Sequence, residues 1–512
     1  MTTLKIIRFR EAEMLVAYFP FKATVADNST VVQAESDDFE KSIRWGYIRH
    51  DQQRNGDIEN SDAYQSGESS ADGLKSKIPS VAELAKMFVD SFGDRFFERV
   101  EGSHSRVRIH LPMMIEFTRA FVSEGAPLEE YLNLNEAMKA LFLTYNDVKG
   151  VKIHKSITLH DLVRFQRLIL FLCLACEEYF RRANLLGTPT YYRSLVTHFS
   201  GDVAKQFLKE FCGIAQPEDL LELLCEKHEA AVVFDILYKP ILKVSGQYLI
   251  PAGLIANSNI IRNALQTTRF RFDADDNVDP IGDFLVATFK EVGVKAATRV
   301  KYRHDGRRGE VDVLAIVGNR LFAFECKNSL HPCNTHELRQ SYGYIVKGFE
   351  QLGRFREAWR QPEVAQRIGE AGGLDVSGVT GLTTCVVTGN RMFSGYVEGG
   401  HAVRNIYELA NAIGGGWSEF TKPVNPLVPD GPKEVLKMRF WSGDTLQSED
   451  LVAYIEGDSL PALALSAMEA FDQIVPLGRT QLRFRSFRLD LLELVDRLRQ
   501  HQLVRVEAAE AG

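Results

Sequence analysis

The sequence predicts an α/β core, a mixed central sheet flanked by helices. It lies between a large, mostly α-helical N-terminal region and a small α+β C-terminal region. Three observations predict this. Helical periodicity runs from Pro79 to about residue 233. Two apolar strands then face each other across Gly318-Asn319, with helical patterns before and after them. A Gly/Pro-rich stretch (Gly414 to Gly416, Pro423, Pro426, Pro429, Pro432) separates a last mixed segment. At 512 residues the chain is too long for one core, since domains run to roughly 100–200 residues each.

Taken in order, residues 1–50 mix short β-like runs such as Leu15–Phe19 with polar turns. Residues 51–77 carry almost no large apolar side chain and read as a polar linker or loop. Residues 78–275 form the mainly helical accessory domain. Its clearest helix spans Leu162–Leu174, apolar in the middle and flanked by Arg164, Arg167, Glu177 and Glu178. Further helices are expected near 81–99, 111–123, 133–145, 202–212 and 217–233. A hairpin turning at Ser245-Gly246 closes the domain. Residues 276–415 are the α/β core. Residues 416–512 are the C-terminal α+β region, with a helix over Arg488–Gln502.

Composition removes several alternatives. Hydrophobic residues make up 45% and charged residues 25%, which excludes a disordered chain or a fibrous rod. Lys plus Arg is 61 against 68 for Asp plus Glu, so overall charge does not argue for a nucleic-acid partner, and a local basic surface is required. The 7 cysteines are few, odd in number and unevenly spread, as in a reducing, cytoplasmic compartment. Charges at Arg8, Arg10 and Glu11 interrupt any signal core. The longest apolar run, Leu168–Cys176, is far short of the ~20 residues of a membrane span. Cys173 and Cys176 have CxxC spacing but sit inside an apolar helix, so they read as core.

The chemistry is concentrated in GEVDVLAIVGNRLFAFECKNS, residues 309–329. A Gly-Asn loop fits a type II′ hairpin turn. If Val317 then pairs with Arg320, paired residue numbers sum to 637, which sets Asp312 opposite Glu325 and Glu310 opposite Lys327. Directly paired side chains lie about 5 Å apart at Cβ on one face. Two carboxylates so placed repel unless a cation lies between them, and hard oxygen ligands suit Mg²⁺ or Mn²⁺. Lys327 shares that face, where an ammonium orients water and stabilises developing charge. The other face carries Val311, Val313, Ala315 and Val317 opposite Phe322, Phe324 and Cys326. Leu314, Ile316, Leu321 and Ala323 line the charged face, so both faces are apolar and the hairpin is central in a covered sheet. Upstream, Lys295, Arg299, Lys301, Arg303, Arg307 and Arg308 stand against Asp305 alone, a strip suited to holding phosphates or an ordinary solvated loop.

Asp312 followed by Glu325-Cys326-Lys327 resembles the core of the PD-(D/E)xK, or restriction-endonuclease-like, nuclease superfamily. The preceding helix, PIGDFLVATFKEVGV, resembles the family's first core helix, and Asp283 is the position matching its further acidic ligand, with Glu291 as the weaker match. RQSYGYIVKGFEQLGRF resembles the Q-x-x-x-Y signature of exonuclease-like branches, at Gln340 and Tyr344, and TTCVVTGN (383–390) the next core strand. Val311 stands where the family's motif has proline. The likeness covers about 280–390. It implies an Mg²⁺- or Mn²⁺-dependent nuclease, DNA being the expected substrate, in the setting of bacterial restriction or anti-phage defence. Asp312, Glu325, Asp283 and the Cys326 carbonyl would hold metal. Lys327 and Gln340 would serve catalysis, and Tyr344 and the basic strip would contact substrate. A homodimer or partner protein is compatible with it. An RNase on the same core and an inactive nuclease-fold adaptor that binds nucleic acid or protein are the alternatives. A plain edge salt-bridge network is the bland reading of the charged trio.

Overall fold

The computed structural model describes residues 2–59, 79–111, 121–122, 130, 134, 138, 142–143, 145–226, 235–268, 279–423, 433–441, 445–457, 459–500 and 503–508. The fold is mixed α/β with several small sheets and one of six strands. The chain divides into two compact units, one of residues 1–56, 140–142 and 277–512, the other of 57–139 and 143–276. Among the described residues no helix is long and apolar enough to cross a membrane.

The first unit opens with helix α1 (Thr2–Tyr18), hairpin strands β1 (Phe21–Ala26) and β2 (Ser29–Ala34), and helix α2 (Asp37–Glu59). Two expectations fail here. Leu15–Phe19, expected to be β-like, lies mostly within α1. Residues 51–59, expected to be linker, continue α2, while 60–77 lie outside the described residues.

The α/β core follows as α3 (Pro280–Glu291), β3 (Lys295–His304), β4 (Arg307–Val317), β5 (Arg320–Lys327), α4 (Thr335–Trp359), α5 (Pro362–Gly372), β6 (Gly381–Thr388), β7 (Val397–Glu398), β8 (His401–Asn405) and α6 (Ile406–Gly415). Its strands order as β3-β4-β5-β6-β8-β7. The first three are antiparallel neighbours, β5-β6 and β6-β8 are parallel, and β7 closes the edge antiparallel to β8.

Both faces of this sheet are covered, as the apolar hairpin requires. On one, Leu314, Leu321 and Ala323 meet Leu338, Ile345 and Leu352 of α4 and Phe39 of α2. On the other, Val313, Ala315, Phe322 and Phe324 meet Ile281, Leu285 and Phe289 of α3 and Leu409 of α6. Each Val, Leu, Ile or Phe among them, fully withdrawn from water, contributes roughly 1.5–3 kcal/mol, and this burial holds a charged trio at the sheet's end.

The rest of the unit is β9 (Trp417–Pro423), β10 (Lys433–Arg439), α7 (Ser448–Glu456), α8 (Leu460–Ser466), β11 (Met468–Leu477), β12 (Thr480–Leu489), α9 (Leu491–Gln500) and β13 (Leu503–Ala508). β2 pairs in parallel with β12, in the order β1-β2-β12-β11. The expected Gly-rich joint is regular structure. Gly414 and Gly415 end α6, Gly416 caps it at φ 65°, and β9 begins at once. Residues 424–432, with the last three prolines of that joint, lie outside the described residues.

In the second unit the helix Leu159–Arg182 is the core element. Thr158 caps it reciprocally with Asp161, and Leu168, Ile169, Phe171 and Ala175 are fully buried. Cys173 and Cys176 are buried in it as core, and burial pushes both thiols up, to about 11 and about 12. Helices Val81–Phe92, Gly201–Cys212 and Pro217–Leu224 accompany it. The first ends before residue 99, as Phe97–Val100 is a strand, and the last gives way to a strand at Cys225. Most of 111–123 and 133–145 lies outside the described residues. The expected hairpin is Ile241–Val244 with Gln247–Pro251, turning at Ser245 (φ 49°) and Gly246 (φ 77°).

A forked strand pair as the candidate functional site

The β4-β5 hairpin has the register read from its turn. Pairs run from Val317↔Arg320 to Val313↔Phe324. Gly318 has φ 58° and Asn319 stays out of the positive-φ region, as a II′ turn demands. The ladder stops at Val313. Beyond it β4 stays with β3 (Val311↔Val300, Glu310↔Lys301), while β5 stays with β6 (Glu325↔Val386, Lys327↔Thr388). The two strands therefore fork, and Asp312 fills the fork. Its Oδ2 accepts the Cys326 N–H at 2.7 Å, replacing the ladder partner that Cys326 has lost.

This corrects the expectation that Asp312 pairs with Glu325, and Glu310 with Lys327, across the ladder. Glu310 instead lies 3.9 Å from Lys301. The pleat also slips at the fork. Val313, Ala315 and Val317 pack in one core, but Val311 packs with Leu314 in the other, against the predicted alternation. Opposite Asp312, Arg299 sits at φ 52°, a conformation L-residues seldom adopt.

Asp312, Glu325 and Lys327 do meet. Lys327 Nζ donates to Glu325 Oε2 at 2.8 Å and lies 3.9 Å from Asp312 Oδ2. Glu325 has 0% exposure, and its Oε1 has no hydrogen-bond partner among the described residues. Burial first, then the Asp312 carboxylate, pushes Glu325 up to about 8, against the pull of Lys327. The stem of Lys327 runs under α4 at Gly348. A Cβ at Gly348 would lie 2.9 Å from Val386 Cγ2 and 3.4 Å from Lys327 Cε.

The third acid is Asp279, which the sequence reading missed. It stands at the N-cap position of α3, and its carboxylate, the Asp312 carboxylate and the Cys326 thiol place one atom each within 4.8 Å of one another. Gly282 leaves it room, since a Cβ there would lie 2.5 Å from Asp279 Oδ2. Burial raises the Asp279 carboxyl, with Asp312 adding to the rise. Asp283, the position expected to complete the metal shell, points elsewhere. Its side chain is 56% exposed and 4.0 Å from Arg299. Glu291 is exposed at the far end of α3. The usable signal was Asp279-Pro280-x-Gly282, an N-cap acid before Pro with a residue lacking Cβ beside it.

The remaining expected residues are placed around the fork. Gln340 and Tyr344 lie on α4, about two turns and one turn before Gly348 respectively, and both are exposed; Gln340 meets His336 at 3.3 Å, and among the described residues neither touches a carboxylate of the site. Arg307 and Arg308, with Arg354, His304 and Glu310, line a polar cavity of about 450 Å³ between the β3-β4 turn and α4. Arg303 is exposed, and Lys295 pairs with Ile316 at the other end of the strand. The basic strip thus divides rather than forming one surface. Cys326 itself is half-buried, and burial followed by Asp279 and Asp312 raises its thiol well above the ordinary range.

The donors suit a divalent cation. At least two carboxylates converge, a buried carboxylate oxygen lacks any donor, and one ammonium is too little charge for Asp279, Asp312 and Glu325 together. Carboxylate oxygens are the hard ligands that Mg²⁺ and Mn²⁺ prefer.

No family model matches this chain, and no curated protein does. Among solved structures it is similar to protein VC1899 from Vibrio cholerae, at 12% identity over 58% of this chain and 59% of that one, with a TM-score of 0.15. At that score the likeness carries no argument about fold or activity.

Proposed function

We propose that this chain is a metal-dependent phosphodiesterase of the PD-(D/E)xK type that cleaves nucleic acid, with DNA as substrate. The observation that carries the reading is the fork. Fully buried Glu325, Asp312 in the place of a lost ladder bond, and Lys327 between them form an acid-rich cluster at one end of an otherwise apolar sheet. A structural ion pair needs neither the unsatisfied Glu325 oxygen nor the third acid.

Asp312 and Glu325 would hold the ion, with Asp279 as a further carboxylate and the Cys326 carbonyl implied by the resemblance. Such an ion supplies charge screening at a phosphate and a lowered pKa of water. Lys327 orients that water and donates to a phosphate oxygen, and Glu325 Oε2 and the close fit under Gly348 fix its ammonium. Arg307, Arg308 and Arg354 hold neighbouring phosphates without reading bases.

The test is cleavage of supercoiled plasmid, linear duplex, single-stranded DNA and RNA in Mg²⁺, Mn²⁺ or EDTA, with Lys327→Ala in parallel. Metal-dependent DNA cutting is expected, reduced roughly 10²–10⁴-fold in the variant. Cutting of RNA alone moves the reading to an RNase. Equal cutting by the variant, or cutting in EDTA, contradicts the assignment.

A further inference from the structure

The second unit contains a cavity that phosphodiester chemistry does not use. It has a volume of about 390 Å³ and lies between the strands Arg106–Ile109 and Val196–Ser200 and the helix Gly201–Cys212. This is within the usual size of small-ligand sites, roughly 300–1,000 Å³. Leu172, Val203, Phe207 and Phe211 supply apolar wall. Phe207 stacks on Phe199 at 4.9 Å and 26°, so part of that wall is an aromatic surface.

One polar focus faces this wall. An Arg106 terminal nitrogen lies 3.1 Å from His198 Nε2. Arginine only donates, so His198 accepts there and carries its proton on Nδ1. Burial, then Arg106 and Arg108, hold the imidazole below its ordinary range, consistent with the neutral ring. Arg108 has a carboxylate, Glu98, at 3.3 Å. Arg106 is half-buried and has none within ion-pair distance among the described residues. A guanidinium drawn partly out of water normally has a counter-charge.

We propose that this cavity binds a small amphipathic anion. Its phosphate, sulfonate or carboxylate head would take the open donors of Arg106, and its aromatic or apolar body would lie against Phe207, Phe211 and Leu172. A fork of N–H donors suits such a head, and the wall suits a flat body.

The test is a fluorescence titration of the full chain with 8-anilinonaphthalene-1-sulfonate, an aromatic anion. Saturable one-site binding is expected. Arg106→Ala should weaken it roughly tenfold or more, and Arg106→Lys should weaken it less. Val203→Trp, which fills the cavity from its exposed rim, should block it even if Arg106→Ala fails to fold by circular dichroism. Naphthalene-2-sulfonate should displace the dye where neutral 2-naphthol does not. Absence of saturable binding, equal binding by wild type and Val203→Trp, or equal displacement by the neutral compound overturns the proposal. None of these readouts involves cleavage, so the result is separate from that of the proposed nuclease.

Discussion

A carboxylate with no exposed surface, as in Glu325, stays charged only through its neighbours, and here one neighbour is another acid. Lys327 offsets part of that repulsion, and a divalent ion would offset the rest. Asp279 sharpens the point because its rival Asp283 lies four residues away on the same helix. Asp279→Asn should weaken Mn²⁺ binding and slow cleavage, whereas Asp283→Asn should leave both within about twofold, because Asp283 faces Arg299 and solvent. Metal titration of the two variants checks this, and the reverse ranking returns the role to the helix position matched by resemblance. Asp312, Glu325 and Lys327 were legible in the sequence because a two-residue turn fixes the register as far as Val313 and so brings the two strand ends near each other, although the direct pairing of Asp312 with Glu325 did not follow. Asp279 was not, since an acid before Pro at a helix start is ordinarily a cap.

At the scale of elements, the fork depends on α4 lying close to β5 and β6. Gly348 permits this approach. Gly348→Ala would set a methyl 2.9 Å from Val386 Cγ2, so α4 must lift or Val386 must turn. A loss of roughly 1–3 kcal/mol is expected from urea unfolding, with weaker cleavage as Lys327 shifts. An unchanged midpoint would mean the helix has slack there. The hairpin, the flanking helices and β6 were visible as periodicity and turn chemistry. The point where β4 leaves β5 was not, because a period-2 pattern looks the same whether or not a partner strand follows it. The slip that carries Val311 to the opposite core was hidden for the same reason, as was the helical state of Leu15–Phe19, a short apolar run that either period fits.

At the scale of the molecule, nothing local signals that β2 will pair with β12, some 450 residues later, so the shared sheet of the first and last segments was beyond sequence reading. The same unit carries a pH dependence. His401 is 5% exposed, and burial followed by Arg356 pushes it down to about 4. An unfolded histidine titrates near 6.5, so the unfolded chain binds one more proton between those values. Stability is therefore full above about pH 6.5 and falls as pH drops towards 4, by about 2 kcal/mol at pH 5. All 4 tryptophans lie in this unit, so their fluorescence follows its unfolding. Between pH 7.5 and 5 the wild type should lose about 2 kcal/mol more than His401→Gln; parallel losses would contradict the cause. The most direct measurement of all is Mn²⁺ titration calorimetry on the wild type and on Glu325→Gln, which keeps the shape of the fork and removes the carboxylate that would bind the ion. Saturable binding by the wild type that the variant lacks is the predicted result. Equal binding by both, or none by the wild type, would contradict a metal site at the fork and the nuclease reading built on it.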